Sequence, residues 1–287
     1  MRPRSLKTVD VFTSVPLLGN PVAVVLDAEG LSTGDMGRIA RWTNLSETTF
    51  LLPATTPGAD YRLRIFTPAS ELPFAGHPSL GSAHAAVEAG RVQPRDGRLV
   101  QECAAGPIEI EVRPGGQFSL TMPPARFEPL SEEDTRELAA ILGPGADGSV
   151  PATLVDVGAR WIVTGVQDPA TLLALRPDFP RSAALERKLG ATGISAFAVR
   201  EGETGIEVRS FAPSCGVNED PVCGSGNGAV ASYRQFHRLL SGATTYQARQ
   251  GQCVGRDGRL SVEITASGEV KIGGACVTCV DGVLSGL

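Results

Sequence analysis

Three side chains have the types and settings to move a proton: Glu47, His77 and Asp220, with Cys223 and Ser225 close to the last in sequence. Glu47 lies in Asn44-Leu-Ser-Glu-Thr-Thr-Phe-Leu-Leu52, where one acidic residue precedes an apolar strand-like run. Apolar surroundings raise a carboxyl group toward the pKa of ~6–7 that suits proton shuttling. A glutamate on an exposed loop fits the same residues. His77 stands between Gly76 and Pro78, stiffly held where a helix begins, and helix capping or packing would account for it equally well. Asp220 precedes Pro221 and reads as acid/base group, turn residue or N-cap. His84 and His237 fall in helical stretches and are assigned no chemistry.

Two glycine-rich turns accompany these residues: Phe74-Ala-Gly-His-Pro-Ser-Leu-Gly81 and Val222-Cys-Gly-Ser-Gly-Asn-Gly228. A turn of this kind opening a helix aims backbone N–H groups and the positive end of the helix dipole at one point, a setting for a carboxylate. Either turn alone is explained as well by the tight bend that glycine permits. Neither contains the Gly-Lys-Ser/Thr of a phosphate loop, and no Gly-x-Gly-x-x-Gly sits in a βαβ setting, so no nucleotide cofactor is expected. The serine-hydrolase elbow Gly-x-Ser-x-Gly is also absent.

The elements that must position these residues come in two related halves. Arg64-Ile-Phe-Thr-Pro68 precedes the first turn and Arg209-Ser-Phe-Ala-Pro213 the second, so Arg, Phe and Pro recur at an offset of 145 (64 to 209). Gly76 and Gly224 recur at 148, beyond an apparent three-residue insertion. A period near half the chain predicts two similar lobes with a cleft, since solenoid repeats run ~20–50 residues. Each half reads strand, turn, helix: Tyr61 to Ile65 and Ile206 to Ser210 precede the turns, and small residues follow. Further strands are expected at Val22 to Leu26, Thr48 to Leu52, Ile108 to Val112, Leu154 to Val157, Trp161 to Gly165, Ser195 to Val199 and Ser261 to Ile264. Helices are expected at Ser32 to Trp42, Ser131 to Leu142, after Pro78, and from Gly224 into Leu240. Many strands per helix without regular alternation predict an α+β fold. The lobe boundary is placed near residue 120, giving 1–120 and 121–275, with a strand near 276–287 returning to the first lobe. Pro123-Pro124 and the turn from Gly143 to Gly148 bracket the crossover.

Composition narrows the function classes. The chain has 287 residues, 42% apolar and 20% charged, with no apolar run near the ~18–20 residues that cross a bilayer. The net charge of −5 comes from interspersed residues, so the electrostatic footprint of a nucleic-acid binder is missing. The N-terminus runs straight into a strand pattern, which predicts a cytoplasmic protein rather than an exported one. Six cysteines in this length are too sparse for a disulfide scaffold. Cys276 and Cys279 lack a second pair or a nearby histidine, so no metal site is expected, and Glu269 to Val280 reads as a strand bent at Gly273-Gly274.

Val9-Asp-Val-Phe12, Gly19-Asn-Pro-Val-Ala23, Ser46-Glu-Thr-Thr-Phe-Leu51, Phe74-Ala-Gly-His-Pro78 and Glu219-Asp-Pro-Val222 with Gly224-Ser225 together resemble the PhzF (phenazine biosynthesis) family. The resemblance spans residues 9 to about 230 and is specific in motif and order. It implies the diaminopimelate-epimerase-like fold: two similar α+β lobes, each a curved antiparallel sheet around a central helix, with the active site between them. It also implies a cofactor-free isomerase, commonly a homodimer, in which Glu47 shuttles a proton on a small cyclic or unsaturated amino acid in specialised-metabolite biosynthesis. His77 and Asp220 would assist as catalytic groups. Gly76, Gly224, Ser225 and Cys223 would surround the substrate carboxylate. Cys223 departs from the usual Thr or Ala of such proteins and matches a cysteine of two-cysteine epimerases, whose second cysteine is replaced here by Ala75. Two alternatives therefore stand beside the isomerase: an epimerase using Glu47 and Cys223, and a non-catalytic small-molecule binder.

Overall fold

The structure, a computed structural model, describes residues 3–143, 145, 149–200 and 205–286. Its first elements are β1 (Arg4–Val11), β2 (Asn20–Val25), α1 (Thr33–Thr43), β3 (Thr48–Leu52), β4 (Tyr61–Phe66), β5 (Glu71–Leu72) and α2 (Gly76–Glu88). There follow β6 (Arg98–Cys103), β7 (Gly106–Arg113), β8 (Gln117–Thr121), β9 (Arg126–Pro129), α3 (Glu132–Leu142), β10 (Thr153–Asp156) and β11 (Arg160–Gly165). The remainder comprises α4 (Pro169–Ala174), α5 (Phe179–Leu189), β12 (Gly193–Val199), β13 (Ile206–Ala212), β14 (Val217–Asp220), α6 (Gly224–Phe236), β15 (Thr244–Gln250), β16 (Gly258–Ile264) and β17 (Val270–Leu284). Two compact units emerge, Met1–Leu120 with Gly273–Leu287, and Thr121–Ile272.

In the first unit the strands close on themselves in the order β17, β1, β2, β3, β4, β6, β7, β8 and back to β17. The expected all-antiparallel sheet is corrected here: β2–β3 and β4–β6 are parallel, so the sheet is mixed. The cause is the connections, since α1 joins β2 to β3 and α2 lies between β4 and β6, and a helical crossover returns the chain in its original direction. Apolar on nearly every side, α2 buries Pro78–Ala83, Ala85 and Ala86, as a core helix does. It approaches the sheet closely enough that a Cβ on Gly81 would lie 2.5 Å from Val22 and 2.9 Å from Val11. By contrast α1 is amphipathic, started by the Ser32–Asp35 capping box and packed through Met36, Ile39 and Ala40 against Phe50 and Phe66.

The second unit repeats the sequence of pairings. β10–β11 is antiparallel, β11–β12 parallel, β12–β13 and β13–β14 antiparallel, β13–β15 parallel and β15–β16 antiparallel, with β9 beside β10. The crossover between β13 and β15 is α6, buried through Gly226–Arg234. It stops at Phe236, short of the expected Leu240, because Arg238 takes a left-handed conformation (φ 57°). The crossover between β11 and β12 holds α4 and α5, two helices the sequence patterns did not announce. α4 begins with Pro169 behind the Asp168 cap and α5 with Phe179-Pro180 behind the Asp178 cap, combinations that also read as turns. Their Leu172 and Leu185 join the core with Leu138, Ile162 and Phe211. Of the turn expected to bracket the crossover between halves, Pro144 and residues 146–148 lie outside the described residues. No described helix is long and apolar enough to cross a membrane.

Candidate active site

The repeated strand before each turn carries the same ion pair. Arg64 donates from Nε and Nη2 to the two Glu71 carboxylate oxygens at 2.7 and 2.6 Å and lies over the Phe66 ring at 5.1 Å. Arg209 does the same to Glu219 at 3.0 and 2.8 Å and lies over Phe211 at 4.9 Å. The glutamates were not singled out by the sequence reading, although their offset of 148 (71 to 219) equals that of Gly76 and Gly224. With the register fixed this way, Ala75 corresponds to Cys223 and His77 to Ser225. Both α2 and α6 are 13 residues long and start at the paired glycines, behind an extended N-cap residue.

Glu47 follows the left-handed Asn44 cap of α1 and directly precedes β3, its carbonyl accepting the Ala23 N–H at 3.4 Å. This places its carboxylate against the first turn of α2. Oε2 lies 3.4 Å from Nε2 of His77, and the two side chains are only 15% and 9% exposed. Burial raises the Glu47 carboxyl above its ordinary value, and a smaller opposing effect comes from a hydrogen bond with the Ser46 side chain. A carboxyl held in this state exchanges a proton near neutral pH more readily than a surface glutamate.

In the second unit, Asp220 ends β14 and accepts the Val222 N–H on Oδ1 at 3.0 Å. Cys223 caps α6, its sulfur accepting the Gly226 N–H at 3.3 Å and lying 3.6 Å from Ser225 Oγ. Burial, then the charge of Asp220, pushes the Cys223 thiol well above its ordinary pKa. Gly226 has no room for a side chain, since a Cβ would lie 2.6 Å from Ser195 Oγ and 2.8 Å from Ser210 Oγ. Trp161 on β11 donates its indole N–H to Ser225 Oγ at 3.1 Å.

No counterpart of Glu47 exists here. Thr48 faces Phe66 across β3–β4 and Ile194 faces Phe211 across β12–β13, so the residue corresponding to Glu47 is Gly193. A Cβ there would lie 2.7 Å from the Trp161 ring and would collide with the Phe211 carbonyl. The structure thus brings Glu47 to His77 in the first unit, and gathers Asp220, Cys223, Gly224 and Ser225 on one turn of the second.

Residues 9–282 match the family model described as phenazine biosynthesis-like protein. The chain belongs to the phenazine biosynthesis-like family. It is 36% identical over 264 residues to trans-2,3-dihydro-3-hydroxyanthranilate isomerase of Pseudomonas aeruginosa, covering 91% of this chain and 90% of that one. It is 38% identical over 295 residues to antisense-enhancing sequence 1 of Schizosaccharomyces pombe, covering 98% and 99%. The crystal structure of a Bacillus anthracis phenazine biosynthesis protein of the PhzF family superposes with a TM-score of 0.88 at 25% identity, covering 99% of this chain and 100% of that one. A hydroxyproline epimerase from Agrobacterium vitis shares the fold at a TM-score of 0.65 and 16% identity, with 99% and 92% coverage.

Two relatives at 36% identity, from Pseudomonas aeruginosa and Pseudomonas chlororaphis, are named isomerases. Away from the turns, Cys276 is buried and Cys279 half-buried on β17, and both are free thiols. Among the described residues, no group of three or more His, Cys, Asp or Glu is gathered in a way that could hold a metal ion.

Proposed function

We propose that this member of the phenazine biosynthesis-like family is an isomerase in which Glu47 takes a proton from one carbon of a small cyclic or unsaturated amino acid and returns it to another. The observation that carries the reading is the buried Glu47 carboxylate, its pKa raised, 3.4 Å from His77. In this scheme one C–H bond breaks, the electron pair shifts through the adjacent double bond, and a new C–H bond forms at its far end. The proton leaves and returns on the same carboxyl group, so the net reaction needs no external acid or base. His77, beside the Glu47 carboxylate, orients it and assists the transfer.

The family motifs assign Asp220 to the substrate's polar groups, and Gly76, Gly224 and Ser225 to its carboxylate. Both glycines begin a core helix, whose first-turn amides have no acceptor within the helix. The repeated order of strand pairing in the two units supports the diaminopimelate-epimerase-like reading of the fold. Cofactor independence, a homodimer and a cytoplasmic location belong to the same proposal. The epimerase alternative is weakened by Cys223, whose sulfur is engaged as a helix cap and whose thiolate is disfavoured.

Incubation with trans-2,3-dihydro-3-hydroxyanthranilate and related cyclic unsaturated amino acids, followed by proton NMR, tests the reading. Double-bond migration in one of them supports it. Tight binding throughout without conversion would favour a binding protein instead.

A further inference from the structure

Each unit holds its helix-start turn from behind with a fully buried glutamine that no chemistry so far accounts for. In the second unit, Gln250 at the end of β15 donates from Nε2 to the Asp220 carbonyl at 2.9 Å and accepts from Asn227 Nδ2 at 2.8 Å. The same Asn227 nitrogen donates to the Cys223 carbonyl at 2.9 Å. Gln250 therefore holds one end of the Asp220–Cys223 turn directly and the other through Asn227. In the first unit, Gln101 on β6 donates to Ser79 Oγ at 2.9 Å, and Ser79 Oγ donates to the Ala75 carbonyl at 2.8 Å. Gln101 is itself held by the Tyr61 hydroxyl at 3.3 Å.

The two clamps correspond through the internal repeat. Ser79 and Asn227 stand at the offset of 148 that relates Ala75 to Cys223, and Gln101 and Gln250 stand at 149. Gln101, Ser79, Gln250 and Asn227 are all 0% exposed. The linking side chain differs, Ser79 in one unit and Asn227 in the other, while the route from strand to N-cap carbonyl is the same. A buried polar group is costly unless every partner is in place, so such a link holds its backbone in one arrangement.

We infer that Gln250 and Gln101 are positioning residues: each fixes the orientation of the peptide units at one helix start, and hence the direction in which the first-turn amides meet a substrate carboxylate. This rests on the carboxylate-binding role proposed above for the turns. Misdirected by a few tenths of an ångström, the amides lose hydrogen-bond geometry with the anion while the fold survives.

The test uses the full chain, with Gln250→Leu and Gln101→Leu beside the wild type and anthranilate as an unreactive planar amino-acid probe. Calorimetry gives its dissociation constant and backbone hydrogen exchange reports residues 75–79 and 220–227 separately. The expected result is at least tenfold weaker anthranilate binding in Gln250→Leu, with exchange accelerated at least tenfold in 220–227 and unchanged in 75–79. The converse exchange pattern is expected for Gln101→Leu. Gln250→Glu, which still accepts from Asn227 but loses the donor to Asp220, is expected to fall between Gln250→Leu and wild type in both readouts. Wild-type affinity and wild-type exchange in a folded Gln250→Leu would overturn the inference. Failure of the wild type itself to bind anthranilate would count against the carboxylate reading, while the exchange pattern would still decide whether the glutamines hold the turns.

Discussion

Trp161 hands its indole N–H to Ser225 at 3.1 Å, the position whose counterpart in the first unit, His77, meets Glu47 instead. The two helix starts share one design, but only the first has a glutamate at the strand position that Gly193 occupies in the second. At Gly193 the Trp161 ring and the Phe211 carbonyl occupy the space a side chain would need. Gly193→Ala is therefore expected to cost about 2–3 kcal/mol, because the obstructing atoms include a backbone carbonyl that cannot step aside. Urea denaturation at equilibrium checks this, and a midpoint equal to wild type would refute the packing argument.

The raised carboxyl of Glu47 has a stability signature independent of any substrate. Its ordinary value is 4.5 and burial lifts it in the folded state. The stability contributed by protonated Glu47 is therefore fully present below the unfolded value and is lost as pH rises through the folded one. Glu47→Gln, neutral at every pH, escapes that loss. It is expected to be more stable than wild type at alkaline pH, with the gain vanishing in acid below the unfolded pKa. Thermal melts across this range read it out directly; a variant less stable at alkaline pH would show that the carboxylate is held by favourable partners rather than burdened by burial.

The paired Arg–Glu bridges differ in burial and so in weight. Arg209 and Glu219 are 5% and 7% exposed, against 24% and 35% for Arg64 and Glu71. Glu219→Gln leaves a buried guanidinium without its counter-charge and is expected to destabilise by about 3 kcal/mol. Glu71→Gln, in a partly hydrated bridge, is expected to cost about 1 kcal/mol or less. Chemical denaturation of the two variants side by side would contradict this ranking if the costs were equal.

Cys223 separates two chemistries. As the cap of α6 its sulfur accepts one amide proton, a role serine performs as well. Cys223→Ser should keep full turnover, while Cys223→Ala should lose about 1 kcal/mol of stability with the missing cap. Loss of turnover in a stable Cys223→Ser protein would restore the epimerase reading.

Much of this was legible in the sequence because repetition is a register-independent signal. The Arg-x-Phe-x-Pro repeat located both strands and the two core helices, of which the second starts at Gly224 as expected and the first at Gly76, two residues ahead of the expected start after Pro78. What stayed hidden depends on pairing across long sequence separations. The parallel pairs arise from crossovers whose direction no local pattern records. Glu47 and His77 are 30 positions apart and meet only because β3 lies beside α2. The glutamine clamps were invisible because a lone Gln in a strand carries no spacing signal, and α4 and α5 because Asp followed within two residues by Pro reads as a turn before it reads as a helix start. Glu71 and Glu219 were within reach, since their offset matches that of the glycines.

The central claim is that one carboxyl group carries the proton. Wild type and Glu47→Gln, each incubated in D₂O with a substrate that the wild type converts, give the direct measurement: the rate of deuterium entry at carbon, followed by proton NMR, together with the dissociation constant of the same compound. The account predicts uptake slowed at least ~100-fold in Glu47→Gln with binding retained. Equal rates in the two proteins would contradict it.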